Sequence, residues 1–325
     1  MYDLDKFTRK LTATLVAAVF AIVITGCGEK VSTGSEASAS SQSSCGTIKV
    51  ANNPWVGYEA NMGVFEYVAK KELGCDVVAK QLYEEVSWQG FQTGDVDIIL
   101  ENWGHEALAK KYINDLKLAV DLGSLGTKGI IGWYIAPWMA EKYPDILDWH
   151  NLNKYSDLFK TSESGNKGAF LDGDPSYSSN DEALMKGLKL NFKVVYTGSE
   201  DALVTAFRKS QAEKFPVIGY FYAPHWFLSE IPLKQIPLPP YTAGCDSDPK
   251  IMACDYPAYD LNKVASKKFM DSNSSAVAFV KNFNWTNADQ NEVARSIAVD
   301  KLSRADAAKL WIDKHPEVVA KWLGK

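Results

Sequence analysis

Four groups of aromatic residues stand directly after apolar, strand-like runs. They are Asn52-Asn53-Pro54-Trp55-Val56-Gly57-Tyr58, Glu101-Asn102-Trp103-Gly104-His105, Asp174-Pro175-Ser176-Tyr177-Ser178-Ser179 and Tyr222-Ala223-Pro224-His225-Trp226. Ring faces carry negative potential, so several gathered around one point make a box for a quaternary ammonium. Such a cation donates no hydrogen bond and is easily desolvated, and each face contributes about 0.5 to 2 kcal/mol. A single aromatic after a strand is ordinarily core. Four of them at strand ends put rings where ligands of open α/β sheets lie, beyond the carboxyl ends of the strands.

Other chemistries lack their supports. There is no GxSxG elbow, no GxxxxGK phosphate loop and no GxGxxG after the first strand, which excludes the usual frameworks for acyl transfer, nucleotide hydrolysis and dinucleotide binding. His105, His150, His225 and His315 are scattered and no HExxH or CxxC occurs, so no metal site and no cofactor is expected. Asp172-Gly173-Asp174 opens like a calcium loop, but Pro175, Tyr177 and Ala183 fill positions where ligands or a turn glycine are needed. The carboxylate pairs Glu84-Glu85 and Asp95-Asp97 read as solvated faces or helix caps. With 35 Lys+Arg against 40 Asp+Glu and a net charge of -5, no basic stripe for nucleic acid is present.

The elements that must position the aromatics alternate. Strand-like Ile48 to Ala51, Val77 to Leu82 and Val96 to Leu100 are separated by helical patterns over Glu59 to Leu73 and Trp88 to Thr93. The chain crosses through Gly129 to Ile135 into a second set, with strands Ala169 to Leu171, Phe192 to Tyr196 and Val217 to Tyr222 between helices. Helical patterns then end the chain at Asn273 to Asn282, Asn287 to Ala298 and Ser303 to Leu323, the last opened by a box-like Ser303 and Asp306. This predicts an α/β protein of two lobes, each with a parallel sheet, and a ligand cleft between them.

A chain of 325 residues with 46% hydrophobic content is long enough for two domains. Its start reads as an export signal. Lys6, Arg9 and Lys10 precede an apolar stretch, Leu11 to Ile24, that is short for a bilayer core of about 30 Å. Ile24-Thr25-Gly26-Cys27 resembles a bacterial lipobox, which implies cleavage before Cys27 and a lipid on its thiol. Residues 1–26 are thus expected as a lipoprotein signal peptide and 27–45 as a flexible tether, since Ser, Ala, Gly and Thr cannot bury enough surface to offset their ordering entropy. The remaining cysteines fit an oxidising compartment. Cys45 and Cys75 each precede a strand, and if the two strands are parallel neighbours their thiols start in one layer; Cys245 and Cys254 bracket a short polar loop.

With these residues in view the chain resembles a known family. Cys27, Trp55-Val56-Gly57-Tyr58-Glu59-Ala60-Asn61, Val86-Ser87-Trp88-Gln89-Gly90-Phe91, Leu100-Glu101-Asn102-Trp103, Gly129 to Tyr134, Gly219-Tyr220-Phe221-Tyr222 and His225-Trp226 are similar to the glycine betaine/choline substrate-binding proteins of ABC importers, over about residues 46 to 325. The resemblance implies a hinge-closing, type II-like periplasmic-binding-protein fold with lobe 1 at 46–134 and 240–325 and lobe 2 at 135–239. It places Trp103, Tyr177 and Trp226 in the aromatic cage, with Tyr177 where Trp often stands, and Trp55 either in the cage or beside a carboxylate site. Val56 and Gly57, at a helix start, would offer backbone N–H groups to a ligand carboxylate; His105 and Ser178 complete the expected ligand-binding set. The implied partners are a small quaternary ammonium ligand, an ABC permease with its ATPase, and the membrane through a lipid anchor; the protein is expected as an extracytoplasmic, cell-membrane-anchored monomer and not an enzyme. Two competing readings stay open. One is a secreted enzyme acting on a small cationic metabolite with Glu101 or His105 as base, for which no nucleophile is visible; the other is a binder of another small solute, such as an amino acid.

Overall fold

Apolar β-branched runs bury both faces of a strand, so helices must cover the sheet they form. The computed structural model describes residues 45–177 and 179–325; the expected signal segment 1–26, Cys27, the expected tether up to residue 44 and Ser178 lie outside the described residues. The strands are β1 (Thr47–Asn52), β2 (Asp76–Gln81), β3 (Ile98–Asn102), β4 (Ala119–Ile135), β5 (Gly168–Asp172), β6 (Phe192–Tyr196), β7 (Ile218–Ala223), β8 (Lys234–Ile236) and β9 (Tyr259–Ser266). They follow the order β2-β1-β3-β9-β4-β7-β5-β6, with β8 beside β4.

β4 joins two groups of strands. Its residues from Ala119 to Gly129 pair with β9, and those from Ile130 to Ile135 pair with β7. On one side β1 runs parallel to β2 and β3; on the other β5 runs parallel to β6 and β7. The sheet is therefore mixed, where two purely parallel sheets are expected from the alternation. The reason is the returning strand β9, which lies antiparallel between β3 and β4, together with β4 itself, antiparallel to β7. The loop before β9 keeps contact with the second group: the Met252 N–H donates to Ala183 O at 3.1 Å and the Tyr256 hydroxyl to Asp181 Oδ1 at 2.9 Å.

Both cysteine pairs are bonded, Cys45 with Cys75 and Cys245 with Cys254. The first follows from register, since Thr47 stands opposite Asp76 and the residues just before them start in one layer. The helix Val56–Leu73 begins three residues earlier than the apolar pattern indicates and buries Met62, Phe65, Val68 and Ala69. It packs on the later helices Asn287–Ala298 and Arg304–Lys314. The expected helix from Ser303 to Leu323 is two helices, Arg304–Lys314 and Pro316–Trp322, because proline at 316 has no N–H to continue the first. Ser303 caps by accepting from the Asp306 N–H, while the reciprocal capping box stands one helix earlier, at Thr286 and Asp289.

Candidate functional site

Glu101, on β3, organises one wall of the site. Its side chain is buried, and each carboxylate oxygen accepts two hydrogen bonds. Oε1 takes the indole N–H of Trp55 and of Trp103, both at 2.8 Å; Oε2 takes amide N–H groups of Asn61 and Gln290. Burial pushes this carboxyl above the ordinary carboxylate range, against the four donors that favour its anion. Every one of those donors is neutral. The anionic form that these donors favour is therefore desolvated and has no counter-ion among its hydrogen-bond partners, which is why burial works against it. Gly129 makes room for the Trp103 ring: a Cβ there would lie 2.6 Å from its Cζ3.

The second wall comes from β5 and β7. Tyr220 and Tyr222 alternate along β7 and so share one of its faces. Tyr177 sits on the loop after β5, against Gly173, where a Cβ would come within 2.6 Å of its ring. Ring centroids run from Trp55 to Tyr177 (6.1 Å), Tyr177 to Tyr220 (6.1 Å), Tyr220 to Tyr222 (6.1 Å) and Tyr222 to Trp103 (5.7 Å). Glu101 Oε1, bonded to both indoles, closes that circuit. Burial holds the hydroxyls of Tyr177, Tyr220 and Tyr222 well above the usual tyrosine range, so they remain neutral.

The circuit opens into a cavity of about 1000 Å³. Besides these five rings it is lined by Tyr241 and Tyr259 and by five carboxylates, Glu84, Glu85, Glu106, Asp246 and Asp260; none of its lining residues is Lys or Arg. His105 also lines it, 2.9 Å from Glu84 Oε1. Burial works to lower the pKa of this imidazole, but the hydrogen bond to Glu84 and the charges of Glu84 and Glu85 outweigh it and the net shift is upward. Aromatic faces inside an acidic rim suit a small cation that needs little hydrogen bonding.

Of the residues expected from sequence, Trp55, Trp103, His105 and Tyr177 meet at this cavity. Trp226 does not. It is buried at the start of the helix Phe227–Glu230, between His225 and Phe227 and 6.0 Å from the Arg208 guanidinium, outside the cavity lining. The chain beyond β7 turns its ring toward the helix Glu200–Glu213, which carries Arg208, and the rings that line the cavity from β7 are Tyr220 and Tyr222. Their period-two spacing was the available signal for them.

The Val56 N–H also differs from expectation. It donates to Glu200 Oε2 at 2.8 Å, so a carboxylate of the chain itself occupies the start of the Val56–Leu73 helix. Glu200 Oε1 accepts from the Tyr222 hydroxyl at 3.0 Å and from His225 Nε2. His225 Nδ1 accepts the Phe227 N–H at 3.1 Å, which leaves Nε2 as the protonated nitrogen of the neutral ring. Among the described residues no group of three or more His, Cys, Asp or Glu is arranged to hold a metal ion.

A family model described as the substrate binding domain of ABC-type glycine betaine transport system matches residues 46–314. A trimethylamine N-oxide-binding protein of Pelagibacter ubique (strain HTCC1062) is 27% identical over 266 residues, 79% of this chain and 82% of the relative. Among solved structures, lactococcal OpuAC in its closed-liganded conformation with glycine betaine superposes with a TM-score of 0.66 at 22% identity, covering 85% of this chain and 99% of that one. An ABC-transporter choline binding protein in complex with choline gives 0.69 at 18% identity, covering 86% and 92%. At these identities the two structures establish the fold alone, a two-lobe α/β architecture.

Proposed function

The chain belongs to the family of substrate-binding domains of ABC-type glycine betaine transport systems, and we propose that its cleft takes one small trimethylammonium compound into a cage of Trp55, Trp103, Tyr177, Tyr220 and Tyr222. The observation that carries this reading is the wall chemistry: seven aromatic residues and five carboxylates, with no Lys or Arg lining the cavity. Glu101 behind the two indoles adds a buried charge that a bound cation would neutralise. Turnover is not part of the reading, because four donors already engage both Glu101 oxygens and His105 is held by Glu84.

The lobes expected at 46–134 with 240–325 and at 135–239 are proposed with the first crossing moved to between Gly129 and Ile130, where β4 passes from β9 to β7. Contacts of Met252 and Tyr256 with the second group support a return crossing nearer Tyr259 than residue 240. Ligand contacts made from both lobes would favour the closed state, which a permease with its ATPase then reads. An extracytoplasmic setting is supported by the two disulfides. Residues 1–26 would be removed as a signal and Cys27 would carry the lipid that anchors a monomeric protein to the membrane. Fatty-acid labelling in the producing cell should mark the wild type and not Cys27→Ala; equal labelling would overturn the anchor.

Titration calorimetry with glycine betaine, choline, carnitine and trimethylamine N-oxide, and with amino acids as controls, tests the cage. Saturable binding of at least one trimethylammonium compound and of no simple amino acid is expected. Tight binding of an amino acid alone would refute the reading.

A further inference from the structure

We propose that Glu200 makes the cleft select trimethylammonium ligands that carry no carboxylate. The inference rests on the cage described above and concerns which member of that ligand class fits. A helix start next to an aromatic cage for a cation is where the carboxylate of a betaine would lie, since free N–H groups and the helix dipole both favour an anion there. In this chain the Val56 N–H of that 18-residue helix is already bonded to Glu200 Oε2 at 2.8 Å.

Glu200 is not a loose side chain that happens to reach across. It stands in the first turn of its own helix, Glu200–Glu213, and its other oxygen is gripped by the Tyr222 hydroxyl and His225 Nε2. Tyr222 is a ring of the cage, so its hydroxyl ties Glu200 to the cage's edge, while the carboxylate itself lines a small neighbouring cavity. Glu59, which pairs with Arg304 at 3.1 Å, and Asp201 line the same small cavity together with Lys301, so three carboxylates stand against two cations.

A ligand carboxylate placed at this edge would meet Glu200 as a like charge or have to expel it. Expulsion strands the Tyr222 hydroxyl and the His225 N–H without their acceptor. A ligand without a carboxylate meets neither cost. Its cationic head keeps the aromatic faces, and the 2.8 Å bond between Glu200 and Val56 stays in place to join the two walls beside the cage. Choline and trimethylamine N-oxide share this chemistry; they differ in net charge, the first a full cation and the second a neutral dipole.

The test is a calorimetric panel of choline, trimethylamine N-oxide and glycine betaine on the wild type, Glu200→Gln and Glu200→Ala. The wild type should bind at least one carboxylate-free ligand ten-fold or more tighter than glycine betaine. Glu200→Gln removes the charge but keeps an acceptor for Val56, and Glu200→Ala frees the N–H as well. The preference against betaine should therefore shrink at least about five-fold in the first variant and further in the second. Thermal melting establishes that each variant is folded, and the isosteric Gln variant stands alone if the Ala variant is not. The proposal is overturned if betaine binds the wild type as tightly as the carboxylate-free ligands, or if folded variants keep the wild-type ratio. Failure of every trimethylammonium compound to bind the wild type would sink the cage itself and this inference with it. A choline affinity above that of the N-oxide would assign part of the selectivity to net charge, and equal affinities would assign it to the missing carboxylate alone.

Discussion

The tryptophan wall and the tyrosine wall of the cage are fixed in different ways. Trp55 and Trp103 are tied at 2.8 Å to one oxygen of one buried carboxylate, and every partner of that carboxylate lies in the same group of elements, from the 56–73 helix through β3 to Gln290. The tyrosine side finds polar partners across the cleft: the Tyr177 hydroxyl donates to Pro54 O at 3.3 Å, and Glu200, bonded to Tyr222, accepts from Val56. The first wall is complete in itself, and the second gains part of its support from the meeting of the two. On the proposed reading, a cage divided in this way would offer a cation one preorganised face and couple the rest of its contacts to closure.

The largest expected effect tests the preorganised wall. Glu101→Gln keeps an acceptor for the two indoles but removes the charge and turns an amide N–H toward the donors of Asn61 and Gln290. Calorimetry should show ligand affinity falling by about 100-fold or more, roughly 3 kcal/mol; an unchanged affinity would mean that the buried charge does not act on the cage. Next comes a paired test of wall membership. Trp103→Ala should cost about 1 to 3 kcal/mol, or roughly 5- to 150-fold in affinity. Trp226→Ala should leave affinity within about three-fold while lowering the melting temperature, because its ring packs outside the cavity and its loss opens a core void worth about 3 to 5 kcal/mol. Equal affinity losses in the two variants would return Trp226 to the cage.

Smaller effects belong to the tyrosine side. Tyr177→Phe keeps the ring face and gives up only the long bond to Pro54 O, so affinity should change by less than about three-fold, whereas Tyr177→Ala should lose about five-fold or more. Behind this wall the buried Asp181 accepts from the Trp133 indole at 2.7 Å and from the Tyr256 hydroxyl at 2.9 Å through one oxygen, while the other has no partner. Burial, and then the neighbouring charge of Asp172, hold its carboxyl well above the ordinary range. The folded protein therefore keeps a proton that the unfolded chain has already lost, and the stability this contributes at low pH disappears as pH rises from the ordinary carboxylate range toward the raised value. Asp181→Asn cannot ionise. Its melting temperature should match wild type near about pH 4 and exceed it increasingly toward about pH 8, with ligand affinity little changed; a constant difference across that range would refute the assignment.

Much of the first strand group was legible because its signals are local. Ile48 to Ala51 and Val77 to Leu82 are short apolar runs, the 56–73 helix has a spaced apolar face, and parallel register carries Cys45 to Cys75. β9 and the first part of β4 were not. Glycines at 123, 126 and 129 punctuate β4 like turns, and its partner lies more than 130 residues away, as Ser124 opposite Asn262 shows. Trp55, Trp103 and Tyr177 line the cavity, and their part in ligand binding is proposed; each follows a strand. Trp226 follows one too, but which way a ring points after β7 depends on the path of the backbone and on Arg208 beside it.

Residue types and spacing by themselves determined the alternation of strands and helices, both cysteine pairs and an aromatic, cation-seeking site at strand ends. These depend on neighbours a few positions apart or on the start of two strands in one layer. Tertiary structure alone decided that Glu101 closes the ring circuit, that Tyr220 and Tyr222 line the cavity while Trp226 does not, and that Glu200 reaches a helix start 144 positions earlier in the chain. Hydrogen-bond partners at such separation are chosen by strand order and by the approach of two walls, and no local propensity encodes either.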